Sequence, residues 1–389
     1  MYPTKPLWKI CEILLWWTPP RNDKKNFWWD FLWCSIRDMK TKYISDTNEK
    51  LTNLWVKNSN VKLLKEWTLF MSFKLSLWKL AFAWKDLYTN EAIAWLPIKN
   101  ENELDKEFLY YILSWYNFTA SWTDNSVKWA TLNKAKLEIL PIPLPPLPTQ
   151  KLIVQKLDSA FENIDKNINL TKENLKNLEE LNKSVLEKVF IEWEYEMKKL
   201  WEIFDVRDWT HDSPKFFKEW FPLVTSKNLI DNSIDLTNVK LVSENDYVNI
   251  NKRSKVDKWD LLFAMIWTIW NPTIVNFEPN FAIKNVALFK KKSEIMLIEF
   301  LKYYLLSDLV IKKMLNEANW ATQKFVWLWY LRNFQIPLPP LQKQKEIVSY
   351  LDEVFAKNKE LKTKYELQLK QLEELKQSLL KDAFEWRLV

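Results

Sequence analysis

The sequence has no glycine in its 389 residues. Average chains carry about 7% glycine, or about 27 residues at this length, so every turn that ordinarily uses one must be served otherwise. Cysteine and histidine are nearly as scarce, with Cys11, Cys34 and His211 the only examples. These three cannot supply a disulfide framework or a four-ligand zinc site, and a reducing cytoplasm fits best. Long apolar runs are missing too: a stretch such as Leu261 to Trp270 is about ten residues long, against the roughly 20 that span a bilayer. The start, Met1-Tyr2-Pro3-Thr4-Lys5-Pro6, lacks a charged region followed by an apolar region and a cleavage site, so neither secretion nor a membrane anchor is expected.

What is present in excess is tryptophan, 25 residues, close to the number of missing glycines. Trp16-Trp17-Thr18-Pro19, Trp28-Trp29-Asp30 and Asp208-Trp209-Thr210 read as turns if the tryptophan stands where glycine belongs. A decoding difference, such as a stop-type codon that means glycine, accounts for surplus tryptophan; the complete absence of glycine further requires that no ordinary glycine codon be used. The competing reading is a Trp-rich surface for stacking bases or sugars. Trp33, between Leu32 and Cys34 in an apolar run, is the best candidate for a genuine indole. Discounting the other tryptophans lowers the aromatic share from 15% to about 9% and the apolar share from 48% to about 42%, ordinary values for a soluble multidomain protein of two or three domains.

The chain is one unit written twice. Ile142-Pro143-Leu144-Pro145-Pro146-Leu147 recurs as Ile336-Pro337-Leu338-Pro339-Pro340-Leu341, at an offset of 194. The alignment continues without a gap through Gln150/Gln344, Val154/Val348, Leu157/Leu351, Asp158/Asp352 and Phe161/Phe355, and persists to Phe190/Phe384. After each proline stop, apolar residues fall on alternating four- and three-residue steps, the period of a coiled-coil seam. The first seam is Leu157, Phe161, Ile164, Ile168, Leu175, Leu178 and Val185, with polar Asn182 at a seam position; the second is Leu351, Phe355, Tyr365, Leu369, Leu372 and Leu379, with Asn358 and Lys362 as weaker members. Helices of about 40 residues are about 60 Å long, and each stripe finds its obvious partner in the other copy. The segments before the helices also echo one another, Leu7–Ile13 with Leu200–Val206 and Trp67–Met71 with Trp259–Phe263. Their short β-branched and aromatic runs predict mixed α/β domains rich in strands and turns.

Net charge is +7, distributed as +5 over residues 1–146, −1 over 147–199, +2 over 200–338 and +1 over 339–389. The excess lies mainly outside the helices, the sign expected of globular parts facing a polyanion.

Over essentially its whole length the sequence resembles the specificity subunit of type I restriction-modification systems (the S subunit, or HsdS family). The resemblance rests on the duplicated Pro-Leu-Pro-Pro-Leu, Gln and long-helix block, the Leu375–Leu380 stretch and the ending Ala383-Phe384-Glu385-Trp386. It extends to Val206–Lys215 and Ala264–Pro272, where the family pattern has glycine at the tryptophans. It implies an α+β fold: two pseudo-repeated mixed α/β target-recognition domains separated by two long helices that pair as an antiparallel coiled coil. The expected divisions are a first recognition domain over 1–146, a spacer helix over 147–198, a second recognition domain over 199–338 and a second spacer helix over 339–389. The resemblance further implies double-stranded DNA as target, with each domain reading half of a bipartite site, and docking of adenine-methyltransferase (modification) subunits and a restriction/translocase subunit. S-adenosylmethionine, ATP and Mg are then expected on those partners, with no cofactor on this chain, no membrane and no catalysis by the chain alone. Half-sites about one DNA turn, about 34 Å, apart lie on one face of the duplex, so their spacing should follow helix length.

Candidate DNA contacts are polar and basic residues on Gly-like turns, where the backbone can approach phosphate: Thr18, Lys57, Asn58, Ser59, Lys74, Ser76 and Lys79 in the first domain. The second domain offers Arg207, Thr210, His211, Ser213, Lys215, Ser226, Lys227, Asn228, Arg253, Lys255, Thr268 and Asn271. Lys and Arg neutralise phosphates, whereas Asn, Ser, Thr and Arg read base edges. A solvated surface or turn role is the competing reading for each of them.

Other chemistries fit poorly. His211 beside Asp208, Asp212 and Ser213 invites a hydrolase triad, but triads are assembled in space rather than by adjacency. Asp23-Lys24-Lys25 and Glu374-Leu375-Lys376 match a nuclease acid-x-Lys fragment only in a charged loop and on the coiled coil. Asn271-Pro272-Thr273-Ile274 lacks the second proline and aromatic of an adenine-methyltransferase motif, and no Gly-rich loop follows a strand. The proline motif resembles an SH3 ligand, yet its place before both helices favours a rigid hinge. A coiled-coil adaptor that binds protein alone is the remaining alternative.

Overall fold

The computed structural model describes residues 2–16, 27–58, 61–74, 76–122, 133–191, 195–208, 214–230, 232–265, 271–317 and 326–385. Packing divides the chain into two compact units, residues 1–171 with 367–389 and residues 172–366. Each unit holds one recognition domain and a stretch of both long helices, so the packing division falls inside the helices and not where the sequence pattern changes. The reason is the helix stripe itself, which is buried against the domain as well as against the other helix. In the first unit Ile153 and Leu157 share a core with Phe108, Ile112, Leu380 and Phe384; in the second, Leu186 and Phe190 share one with Phe300, Leu301, Ile347 and Leu351.

The two recognition domains have the same strand order. In the first, strands Leu14–Leu15, Ile93–Trp95, Leu69–Ser72 and Leu80–Ala83 lie side by side, with Tyr43–Ile44 added at the edge. In the second, Phe204–Asp208, Val286–Lys291, Leu261–Ala264 and Thr273–Ile274 follow the same sequence of neighbours. A three-stranded sheet accompanies each. Its central strand, Phe27–Cys34 or Phe221–Thr225, pairs antiparallel with Glu49–Leu51 or Lys240–Val242 and parallel with Tyr88–Thr89 or Ala282–Lys284. The central strands Leu69–Ser72 and Leu261–Ala264 are apolar but for Ser72 and buried at every position, as expected of strands covered on both faces. A helix closes each domain, Lys106–Trp122 and Ile298–Leu306.

The proline block sets up each long helix. Pro141–Pro143 pairs antiparallel with Thr4–Pro6, and Gln335–Pro337 with Met197–Lys199, tying the approach to the start of each domain. Helices then run Leu147–Phe190 and Leu341–Phe384, 44 residues each. Proline just before or within the first turn is tolerated because those N–H groups have no intrahelical partner. Leu157, Ile164, Ile168, Leu178 and Leu351 are buried; Phe161, Leu175, Val185, Phe355, Tyr365, Leu369, Leu372 and Leu379 are half-buried, while Lys362 is exposed. The helices pair antiparallel in both units: Asn358 Nδ2 donates to Asn182 Oδ1 at 2.6 Å in the second, and Lys376 bonds Asp165 in the first.

Six described residues have positive φ, and four of them are tryptophan: Trp67 at 63°, Trp78 at 64°, Trp220 at 113° and Trp259 at 71°. That region is open to glycine and strained for a bulky residue. Trp33, by contrast, lies on a strand with ordinary backbone and is fully buried beside Leu51 and Tyr88, so the one tryptophan read as genuine occupies a core position. Cys11 and Cys34 are free and buried; burial pushes the Cys11 thiol up to about 12 and raises that of Cys34 as well. Among the described residues no helix is long and apolar enough to cross a membrane.

Candidate DNA interface

Most of the candidate contacts fall at three corresponding places in the two domains; Arg207, on the strand Phe204–Asp208, and Ser226, Lys227 and Asn228, after Phe221–Thr225, lie elsewhere. One of the three is the link between the first strand of the four-strand order and the central strand of the three-strand sheet, which carries Thr18 in the first domain and Thr210, His211, Ser213 and Lys215 in the second. The next is the end of a helix, Asn53–Asn58 with Lys57 and Glu244–Ser254 with Arg253; Ser59 and Lys255 follow directly. The third is the hairpin turn after Leu69–Ser72 or Leu261–Ala264, with Lys74, Ser76 and Lys79 or Thr268 and Asn271. Thr18, Ser59, Thr210, His211, Ser213, Thr268 and the Asn58 side chain lie outside the described residues.

In the first domain Lys57, Lys74 and Ser76 are exposed. The turn is braced from inside: Ser72 Oγ donates to Ser76 O and accepts from Lys79 N at 3.0 Å, and Lys79 Nζ donates to Ile36 O at 3.3 Å. Lys79 is exposed like Lys74 and Ser76, but its ammonium is partly committed to the fold.

In the second domain Arg207, Arg253 and Lys255 come together. Arg207 donates from Nε at 2.8 Å and Nη2 at 2.5 Å to Asp205 Oδ2, and from Nη1 to Arg253 O at 3.3 Å. Arg253 lies 3.8 Å from Asp208, and Lys255 lies 3.3 Å from Asp257. Lys290, which sequence reasoning passed over, reaches Asp257 at 2.7 Å, Asp260 at 2.6 Å and Lys255 O at 3.2 Å. Its hydrogen bond holds the Asp257 carboxyl below the usual range, while burial raises that of Asp260. Four cations therefore face four carboxylates, and the patch is neutral rather than basic. The Asp205 clamp orients the Arg207 guanidinium while leaving two of its five N–H donors outside these bonds, a geometry suited to reading an edge. Arg332 steadies the same strand by donating to Val206 O from Nε at 3.0 Å and Nη2 at 2.8 Å; nothing in its local sequence signals that role.

Ser226 and Asn228 are corrected by their burial. Asn228 Oδ1 accepts from Thr225 N at 3.0 Å and Thr225 Oγ1 at 2.9 Å, and its Nδ2 donates to Asp235 O at 3.2 Å. Both residues lie within the domain and shape a turn, whereas Lys227 between them is exposed. Asn271 is half-buried and donates to Leu229 O at 2.9 Å, joining the hairpin turn to that segment. Lys215 is exposed.

The fold is thus two domains of one strand order that share a pair of long helices. Residues 17–180 and 192–371 match the type I restriction modification DNA specificity domain, and the chain belongs to that family. It is 26% identical over 322 residues to the type I restriction enzyme EcoBI specificity subunit of Escherichia coli, covering 74% of this chain and 67% of that one. It is 29% identical over 272 residues to a putative type I restriction enzyme MjaX specificity subunit of Methanocaldococcus jannaschii, covering 65% of this chain and 62% of the relative. Among solved structures, a chain from a type I restriction-modification assembly superposes with a TM-score of 0.75 at 18% identity, covering 98% of this chain and 97% of that one. The HsdS subunit of Thermoanaerobacter tengcongensis gives 0.57 at 18% identity, covering 99% and 97%. These likenesses show the fold.

Proposed function

We propose that this chain is the addressing subunit of a type I restriction-modification assembly in the cytoplasm. Each recognition domain reads one half of a split site in double-stranded DNA, and the paired helices dock adenine-methyltransferase subunits and a restriction/translocase subunit. S-adenosylmethionine, ATP and Mg belong on those partners, and the chain performs no chemistry alone. The observation that carries this reading is the duplication itself: two domains have the same strand order, most candidate contacts lie on the same three segments of each, and each domain is packed on both helices. A duplicated reader on a shared spacer suits a two-part site.

The test is selection from a random duplex library by the chain in complex with its modification subunit, followed by sequencing of the retained DNA. Enrichment of one split motif of fixed spacing is expected, with affinity falling steeply as salt rises. Retention without a motif contradicts the reading and leaves a protein-binding adaptor.

A further inference from the structure

We propose that Gln150 and Gln344 are positioning residues that fix the angle at which each recognition domain meets its long helix, and thereby set how strictly the spacing between half-sites is enforced. This rests on the addressing function proposed above.

Both glutamines are fully buried in the first turn of their helices, and each makes the same three hydrogen bonds. Gln150 Oε1 accepts from Asp105 N at 2.9 Å, while its Nε2 donates to Glu103 O at 2.9 Å and Pro145 O at 2.8 Å. Gln344 Oε1 accepts from Leu297 N at 2.8 Å, and its Nε2 donates to Ile295 O at 2.9 Å and Pro339 O at 2.8 Å. One side chain thus ties together the proline approach, the long helix and the segment leading into the domain's own closing helix. Eight residues on, a second bond repeats in both copies: Tyr111 Oη donates to Asp158 Oδ1, and Tyr303 Oη to Asp352 Oδ1, each at 2.5 Å. In the first unit Lys42 adds a third tie, 3.1 Å from Asp158 and 2.8 Å from Glu107.

Two attachments about 12 Å apart along a rigid rod define its direction, whereas one leaves a pivot. The apolar core beneath can accommodate small tilts, because its contacts are non-directional. The buried amide cannot, since any tilt strands polar groups that have no water to turn to. Every partner of the glutamines is a backbone atom, so the latch is the same whether the domain carries Glu103 and Asp105 or Ile295 and Leu297. A recognition domain can therefore change its reading surface without altering how it is mounted.

The experiment uses the full chain with its modification subunits on a plasmid library in which the two half-sites are separated by spacers bracketing the natural one, with N6-methyladenine read by sequencing. The unmodified chain is expected to methylate one spacer length. Gln344→Met, nearly equal in volume, should raise methylation at spacers one base pair longer or shorter by roughly tenfold while the bases read in each half stay the same. Gln150→Met should do likewise, and Tyr303→Phe, which removes only the second tie, should show a smaller relaxation and covers the case of a glutamine variant that does not fold. Unchanged strictness in the folded variants, or equal loss at every spacer in all three, overturns the proposal. Absence of any split motif with the unmodified chain would instead sink the addressing function on which it rests.

Discussion

Trp67 and Trp259 stand at the same point of the two domains, each just before the central strand of its sheet and each donating its N–H across the hairpin, to Ala83 O at 2.6 Å and Val275 O at 2.7 Å. With φ at 63° and 71°, both hold a backbone that costs a non-glycine residue about 1–2 kcal/mol. Trp67→Gly and Trp259→Gly should each stabilise the protein by about that amount in chemical denaturation, whereas Trp33→Gly, which empties a fully buried site, should cost at least about 3–5 kcal/mol. Turn composition made this much readable from sequence. The long-range ion pairs were not readable, because Arg253 meets Asp208, and Lys290 meets Asp257 and Asp260, only after folding. Ion pairing bears on DNA binding: Lys215→Ala, which removes an exposed cation, should lower the salt slope by about 0.9 if it neutralises one phosphate. Lys255→Ala should lower it less, since that ammonium already faces Asp257. Unchanged slopes in a fluorescence titration across salt concentrations would remove both from the contact surface. Asp38 gives a pH-dependent counterpart. Burial pushes its carboxyl up, but hydrogen bonds from Asn48 and Ser35 outweigh this and leave it below the usual range. Its contribution to stability is thus present above about pH 4 and lost as pH falls through the lowered folded value. Asp38→Asn should flatten that acid limb in melts recorded against pH.

At the scale of elements, the long helices were the most legible part of the molecule, since a seven-residue pattern sustained over 44 residues admits little else. Seam residues predicted from periodicity are buried or half-buried in both copies except the exposed Lys362, and the polar Asn182 meets Asn358. The Asn–Asn pair should behave as a register lock. Asn182→Leu alone leaves the Asn358 amide unpaired and should cost about 1–3 kcal/mol, while adding Asn358→Leu should recover most of that loss. A double-mutant cycle in denaturant measures the coupling, and additive losses would show that the amides act independently. Less legible were the attachments of helix to domain. The repeat displayed Gln150/Gln344 and Asp158/Asp352 as matched pairs, but their partners in the recognition domains lie more than 40 residues away, beyond any local pattern. Burial of Ser226 and Asn228 escaped for a similar reason: a polar run between apolar segments reads as exposed loop, and only the fold shows its side chains turned inward to satisfy the backbone.

For the whole molecule, the duplication predicts a duplicated task. Two domains of one topology, each packed on both helices, imply a DNA target in two parts, with bases chosen by the domains and separation by their mounting. The most direct measurement is single-molecule sequencing of N6-methyladenine in cells expressing the modification subunit with and without this chain, using a copy with glycine restored at the turn tryptophans. A methylated motif of two specific halves separated by a fixed number of unread bases, present only with this chain, is the predicted result. A soluble complex that leaves no such motif would contradict the account.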